Sequence, residues 1–415
     1  MNIIRKIVAY ILLTSTYSFT YLVALLGNII PHRQWKPTGL IMVTGTFHNP
    51  NWYLSHITPL SLSGVKEVIL VVDEPQLPLD KVRFVCPPKW TSKLLSRAGA
   101  KAIWMIGAGL RYKPDLYMGY FITPGACSAL VAGKLLGRPS CYQMTAGPVE
   151  IIGGGFEAMD SVSGLLGRPS KLIEKLALAV AKQFDLIVVR GSRAKEYLEA
   201  QNVKGTVAII TGSIKDCIQS LQNNRDIHLV SVGQLIPRKQ VDQFITIVDV
   251  IKRVIPNVRA AIIGDGPLMA DLQAYTEKLG LTDNIEFFGK QKDVEKLLAS
   301  SKIFILSSKW EGLAISMIEA MAAGTVPVVA DVGDLGDLVI DGINGYLVKP
   351  NCIDEYTKKV LPLLQDPVLL EKHSLRAIEA AKTNYVIDAI SRRWQQNLQD
   401  VISEASGLYK QKVMN

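Results

Sequence analysis

Two glutamates, Glu311 and Glu319, stand with seven residues between them in KIFILSSKWEGLAISMIEAMAAGTVPVVADVGDLGDLV, residues 302–339. Nearly every side chain around Glu319 is apolar or small, and no Lys or Arg lies within one helical turn of it. An ionised carboxylate in such surroundings is costly unless something partners it. Glu311 precedes that run on a loop and is followed by Gly312, which lets backbone approach a ligand closely. A second group lies upstream in LVSVGQLIPRKQVDQFITIVDVIKRV, where Arg238 and Lys239 stand just ahead of a helical pattern. Cations on a loop before a helix start can grip phosphate, helped by the helix N-terminus. The plainer readings are a Glu319 satisfied by backbone or by a distant Arg, and a lysine that decorates the surface.

The elements that must position these groups are legible nearby. Ile303–Leu306 reads as a buried strand, and Ala314–Ala323 as a helix closed by Gly324 in a left-handed C-cap. Thr325–Ala330 reads as a second, β-branched strand. Strand, helix, strand is the unit of a parallel sheet. Both glutamates should then face the C-terminal edge of that sheet, where open α/β sheets bind ligands. Val241, Phe244, Ile245, Val248 and Ile251 mark a 3.6-residue period after a strand ending at Gly233. Further upstream GLIMVTGTF is a strand ending at Gly45, and VKEVILVVDE, FVCPP and the helical AGAKAIWMIG follow. FDLIVVRGSRAKEYLEA supplies a strand and a helix, TVAIITGSI a strand entering an interdomain hinge, and the polar SLQNNRDIH the loop into a second domain.

Composition suits two α/β domains in 415 residues, with nearly half of the residues apolar. The five cysteines are odd in number and lack CxxC spacing, which argues against a zinc site or a disulfide framework. A net charge of +9 favours anionic substrates or an anionic membrane surface. The basic residues are spread in ones and twos, so no nucleic-acid partner is expected. Between Lys6 and His32 no charged residue occurs, and IVAYILLTSTYSFTYLVALLGNII is long enough to cross a bilayer. Its polar middle, TSTYSFT, also admits an interfacial or re-entrant segment, and a helix buried in the protein is the plainer reading. Membrane association is the expectation adopted.

The stretch around Glu311 and Glu319 resembles the donor-site signature of retaining family 4 glycosyltransferases (glycosyl transferase group 1) of GT-B architecture. The resemblance runs from roughly Gly39 to Tyr346 and is closer in the carboxyl half. It implies two Rossmann-like doubly wound parallel-sheet domains facing a cleft, with an N-terminal hydrophobic membrane segment added here. Residues 1–38 are then a membrane-associated segment and linker, and 39–215 an acceptor-side domain. Residues 216–383 form a nucleotide-sugar-binding domain, and 384–415 a helix crossing back to the first domain. By the same resemblance Glu319 holds ribose hydroxyls, Glu311 lies by the transferred sugar, and the amides of Gly312, Leu313 and Ala314 reach sugar and phosphate. Lys239 matches the phosphate-binding lysine, while Gln234 replaces the usual arginine, whose charge Arg238 is near enough to supply. Gly45, Gly233 and Gly266 would line the donor pocket, and Gly289, Lys290 and Gln291 would meet the nucleobase.

On the acceptor side Gly147 matches a family glycine, but Ala146 stands where many members carry histidine. His48, His56 and Glu150, the last in GPVEIIGGG, are the candidates to replace it, and none matches by motif. No Asp-x-Asp pair occurs, so neither a metal nor any other cofactor is expected, the nucleoside-diphosphate sugar being a substrate. The implied function is transfer of a sugar to an acceptor hydroxyl, on a lipid or lipid-linked glycan at the cytoplasmic membrane face. Two alternatives stay open: a sugar-nucleotide epimerase or phosphorylase on the same fold, and a binding subunit without catalysis.

Overall fold

The computed structural model describes residues 3–29, 34–47, 49–157, 162–215 and 225–407. The chain divides into two compact units, Met1–Gly212 with Ile390–Asn415, and Ser213–Ala389. Both are α/β. Short apolar segments rich in Val, Ile and Leu become strands buried on both faces, as parallel sheets require.

In the first unit the strands are β1 (Leu40–Thr44), β2 (Glu67–Val71), β3 (Val82–Val85), β4 (Leu116–Tyr120), β5 (Ser140–Gln143), β6 (Leu186–Val189) and β7 (Thr206–Ile209). They form one parallel sheet in the order β3-β2-β1-β4-β5-β6-β7, with Met42 opposite Ile69 on one side and Tyr117 on the other. The segment TVAIITGSI, expected to enter the hinge, begins as β7, the edge strand of this sheet, with Ala208 paired to Val188. Only four residues pair, and only Ala208 among them is buried, so the segment has little of the buried-strand pattern. The helices are α1 (Ile3–Ile29), α2 (Pro50–Ser61), α3 (Lys89–Tyr112), α4 (Cys127–Leu136), α5 (Lys171–Ala181) and α6 (Ser192–Ala200).

The second unit has β8 (Ile227–Val232), β9 (Ala260–Ile263), β10 (Ile285–Gly289), β11 (Ser301–Leu306), β12 (Val326–Ala330) and β13 (Tyr346–Val348). These are parallel in the order β10-β9-β8-β11-β12-β13, with Ile303 opposite Leu229 and Ile305 opposite Val328. Its helices are α7 (Val241–Lys252), α8 (Met269–Lys278), α9 (Val294–Ala299), α10 (Ile315–Ala322), α11 (Ile353–Gln365) and α12 (Pro367–Tyr385). The five residues of α7 that carried the helical period are all buried. Gly324, just past α10, has φ +85°, the left-handed conformation expected of it. The last helix, α13 (Ile387–Ser406), starts in the second unit and continues in the first, burying Trp394, Leu398 and Val401.

Each sheet reverses its strand order beside its first strand, between β1 and β4 and between β8 and β11. At such a point successive helices leave for opposite faces and a crevice opens beyond the strand ends.

The amino-terminal hydrophobic segment is helix α1, long and apolar enough to cross a membrane by length and composition. One stripe of it, Ala9, Leu13, Tyr17, Thr20, Ala24 and Gly27, is buried against the first unit. Leu13, Tyr17 and Ala24 share a core with Leu130 of α4 and with Ile173 and Ala177 of α5. Tyr17 meets Thr123 across a 3.5 Å hydroxyl pair, and further along Gly27 lies against Lys134, so α1 and α4 run in the same direction. A Cβ at Gly27 would fall 2.6 Å from that of Lys134, so the close approach requires glycine. Beyond α1 the chain is tied down again. Asp115 accepts from Thr38 N (2.9 Å), Gly39 N (2.6 Å) and Trp35 Nε1 (3.3 Å), and Arg138 stacks on the Trp35 ring at 4.2 Å.

Candidate functional site

Loops at the C-terminal ends of β8 and β11 converge at the reversal point of the second sheet. After β8, Gly233 leaves room for the stem of Lys239, whose Cε would stand 3.4 Å from an added Cβ. The chain then makes a short 3-10 turn, Pro237–Lys239, and Gln240 at φ +47° starts α7. After β11, Lys309 N donates to Arg238 O at 2.8 Å and Ser307 Oγ to Gln240 O at 2.8 Å, which ties the two loops together.

Three charged side chains meet there. Lys239 Nζ donates to Glu311 Oε1 at 2.6 Å and Arg238 Nη1 to Glu311 Oε2 at 3.0 Å, and all three side chains are largely buried. The Arg238 guanidinium also stacks on the Trp310 ring at 4.4 Å. Burial alone would push the Glu311 carboxyl up, but Lys239 and Arg238 together hold it below the usual carboxylate range. The cluster carries one net positive charge, on groups already stripped of most water. Such cations suit an anion whose charge grows during reaction.

Glu319 lies on α10 and is not a member of that cluster. Burial, together with the nearby Glu295 carboxylate, pushes its carboxyl up to about 7, against the pull of Lys215. Lys215 is itself paired with Glu295 at 2.6 Å. A glutamate so placed changes charge close to neutral pH.

Apart from Gly45, which belongs to the first unit, the remaining residues expected at the donor pocket lie on the same strand-end edge. Gly266 follows β9, where Leu235 N donates to Asp265 O (3.0 Å) and Leu268 N to Leu235 O (3.1 Å), and an added Cβ would overlap the Leu235 backbone. Gly289 ends β10 at φ +63° with open space around it, and Lys290 and Gln291 beyond it are exposed. Gly312, Leu313 and Ala314 lead into α10, whose amino end has no side-chain cap. Reading the sequence missed Gly333, after β12. It has φ +52°, and a Cβ there would overlap the Glu311 backbone, so it sets how closely the β12 loop supports that glutamate. The only sequence signal was the Gly-Asp spacing of DVGDLGDLV.

At the reversal point of the first sheet, Gly45 follows β1, and its carbonyl accepts from buried Lys101 Nζ at 3.3 Å. Phe47, Trp52, His56 and Tyr120 form a ring cluster beside it, the Trp52 and His56 rings stacked with centroids 4.3 Å apart. His56 is buried, its Nδ1 2.8 Å from Trp52 O; burial and the charge of Arg190 push its imidazole well below the usual range. His48 lies outside the described residues. Gly147 follows β5 at φ +76° with nothing within 4 Å of an added Cβ.

Glu150, considered as an orienter of a sugar hydroxyl, is buried and already hydrogen-bonded by four donors. Its Oε2 accepts from Tyr142 Oη (2.7 Å) and Ile122 N (3.1 Å), and its Oε1 from Ala146 N (2.7 Å) and Thr145 Oγ1 (3.3 Å). The carboxylate thus ties its loop to β5 and to the segment after β4, and it fixes the backbone of Ala146 that leads to Gly147. Arg190, at the end of β6, was also missed. It is buried and donates to Ile210 O (2.7 Å) and Gln143 Oε1 (3.4 Å); a lone Arg directly after the apolar run LIVV was its signal.

Comparison with known proteins bears on the family and the fold. The family model described as glycosyl transferases group 1 matches residues 215–384. An exopolysaccharide phosphotransferase of Streptomyces coelicolor is 30% identical over 244 residues, 57% of this chain and 26% of that protein. The UDP-Gal:alpha-D-GlcNAc-diphosphoundecaprenol alpha-1,3-galactosyltransferase of Escherichia coli is 30% identical over 165 residues, 39% of this chain and 42% of that protein. The chain therefore spans less than half the length of either relative. Among solved structures, Anabaena Alr3699/HepE in complex with UDP superimposes with TM-score 0.67 at 15% identity, covering 88% of this chain and 99% of that one. That likeness shows the fold: two Rossmann-type parallel sheets of GT-B kind. Residues 215–384, which fall within the second unit, thus match the glycosyl transferases of group 1.

Proposed function

We propose that the protein is a retaining glycosyltransferase that moves a sugar from a nucleoside-diphosphate sugar to an acceptor hydroxyl without a metal ion. The observation that carries this reading is the convergence of Lys239 and Arg238 on Glu311 at the strand-order reversal of the second sheet. An arriving diphosphate would share the two cations with Glu311, and the charge that collects on it as the glycosidic bond breaks falls on preorganised, water-poor donors. The amides leading into α10 extend the same anion site. Glu319, raised towards neutral pH, is the acceptor for ribose hydroxyls in this reading. Because the chain has no Asp-x-Asp pair and carries these cations instead, charge stabilisation is assigned to side chains and amides. Retention means that the acceptor hydroxyl attacks from the face the diphosphate leaves.

A lipid or lipid-linked acceptor at the cytoplasmic membrane face belongs to the same proposal. It is supported by the apolar helix α1 and by the diphosphoundecaprenol-linked substrate in the name of the E. coli relative. The test is incubation of the purified protein with a panel of nucleotide sugars, with and without membrane lipid extract and with and without a chelator. Diphosphate release that depends on the extract and survives chelation is expected, with the donor anomer kept in the product. Tight nucleotide binding without release under any condition would instead identify a binding subunit.

A further inference from the structure

Helix α1 has a second face. Opposite its buried stripe lie Ile4, Ile11, Phe19, Leu22 and Leu26, each 55% exposed or more, in a segment with no charged residue between Lys6 and the end of the helix. At 1.5 Å per residue this is an apolar ridge ~33 Å long. A ridge of that extent facing water is not a property of soluble surfaces. We infer that α1 lies in the plane of an anionic lipid bilayer, with one face on the protein and the other among the acyl chains, and does not cross it. This rests on the membrane reading above and specifies its geometry.

Two observations exclude a crossing and select the charge of the lipid. The packed stripe spans Ala9 to Gly27, so α1 is held along most of its length by α4 and α5. Carrying it across a bilayer in that state would draw Lys171, Lys175 and Lys182 on and beside α5 towards hydrocarbon, where charged side chains are disfavoured. Detaching it would strip Leu13, Tyr17 and Ala24 out of the first unit's core. The charge is divided unequally between the units. The first unit has 27 Lys and Arg against 14 Asp and Glu, a net +13, and the second has 19 against 23, a net −4. The positive excess of the whole chain thus sits on the unit that carries α1. At the amino end of α1 stand Arg5 and Lys6. At its carboxyl end Asn28 borders a cavity of about 650 Å³ whose walls hold Lys134, Arg138, Lys182 and Lys204 against Asp185 and Glu404. Helix α3, which shares a core with α4, opens with Trp90 (65% exposed) and Leu94 (73%) set among Lys89, Lys93 and Arg97. Aromatic and leucine side chains among lysines are the pattern of an interfacial helix.

The experiment uses full-length protein with nitroxide labels on cysteines introduced singly at Ile4, Ile11, Phe19 and Leu26, after Cys86, Cys217 and Cys352 are changed to serine. Binding and label depth are read on vesicles of phosphatidylcholine alone and with phosphatidylglycerol at about a third of the lipid. The expected result is partition at least about tenfold stronger on the anionic vesicles, with all four labels at one shallow depth. Leu22→Glu should lose that partition. Labels that are deepest at the helix centre and shallow at both ends would mean a spanning helix and overturn the proposal. Labels left in water on both vesicles would remove membrane docking altogether, and labels protected only as protein concentration rises would assign the ridge to a second copy. Diphosphate release followed in the same samples separates these outcomes from a failure of the transfer reading, since it needs no bilayer when a soluble acceptor is supplied.

Discussion

Glu311 and Glu319 are carboxylates of one unit whose surroundings drive them apart, the first held ionised by two cations and the second raised to about 7 by burial and a neighbouring acid. Pairs so separated are where acid–base and binding roles divide. In the proposed reading ribose hydroxyls donate to ionised Glu319, so binding favours the charged form. Affinity for a nucleotide sugar should then rise with pH through about 7, by up to roughly tenfold per unit below it, and Glu319→Gln should bind weakly and with a flat pH profile. Titration calorimetry between pH 5.5 and 8.5 checks both. The stability effect has the opposite sense. A carboxyl whose folded value is raised contributes stability that is fully present below its ordinary range and is lost as pH rises through about 7. At the cluster, Lys239→Ala removes a donor from the developing charge and should lower turnover roughly 10²–10³-fold, about 2.7–4 kcal/mol. Unchanged turnover would remove Lys239 from the proposal. Glu319 stood out in the sequence because a carboxylate in an apolar run is locally improbable, whereas Lys239 and Arg238 were singled out by the family resemblance and not by their surroundings. The partners of Glu150 were not legible, because a glycine-rich stretch says nothing of where neighbouring donors point, and four of them converge on that carboxylate from separate segments.

At the scale of elements, buried strands and amphipathic helices announced themselves by period, and α7 and the β11–α10–β12 unit fall where the pattern placed them. The edge strand β7 was read as a strand too, but it ends at Ile209, short of the segment's end, and of its four residues only Ala208 is buried. Gly333 was invisible because its constraint is a close approach to a backbone 22 positions earlier in the chain, at Glu311. Gly333→Ala must relieve both a left-handed φ and an overlap with that backbone. It should therefore lower stability by at least about 1 kcal/mol and weaken nucleotide binding by moving Glu311 relative to Lys239. Gly336→Ala, three positions on, where only a 3.5 Å contact to Leu347 awaits a Cβ, is the control expected to leave both unchanged. Denaturant midpoints and nucleotide titration of the two variants provide the comparison.

Across the whole molecule the chain passes between units at Gly212–Ser213 and at Ala389–Ile390, and each unit has its own sheet and core. Unfolding need not be two-state in such a chain. Calorimetry should resolve two transitions, and a nucleotide diphosphate at 100 times its Kd should stabilise one of them, that of the second unit, by about 2.7 kcal/mol. A single transition that moves as a whole would mean that the units unfold together.

The shared direction of α1 and α4 has a kinetic consequence. A crossover helix runs back along the strands it joins, so α1, lying beside α4, is aligned with the strands of the first sheet. With α1 in the plane of the bilayer, those strands also lie along it, and the edge bearing Gly45 and Gly147 opens sideways over the lipid surface. An acceptor carried by the lipid would arrive by lateral diffusion in two dimensions. The rate of transfer would then follow the mole fraction of acceptor in the bilayer, and adding inert lipid at constant total acceptor would slow the enzyme by dilution within the surface.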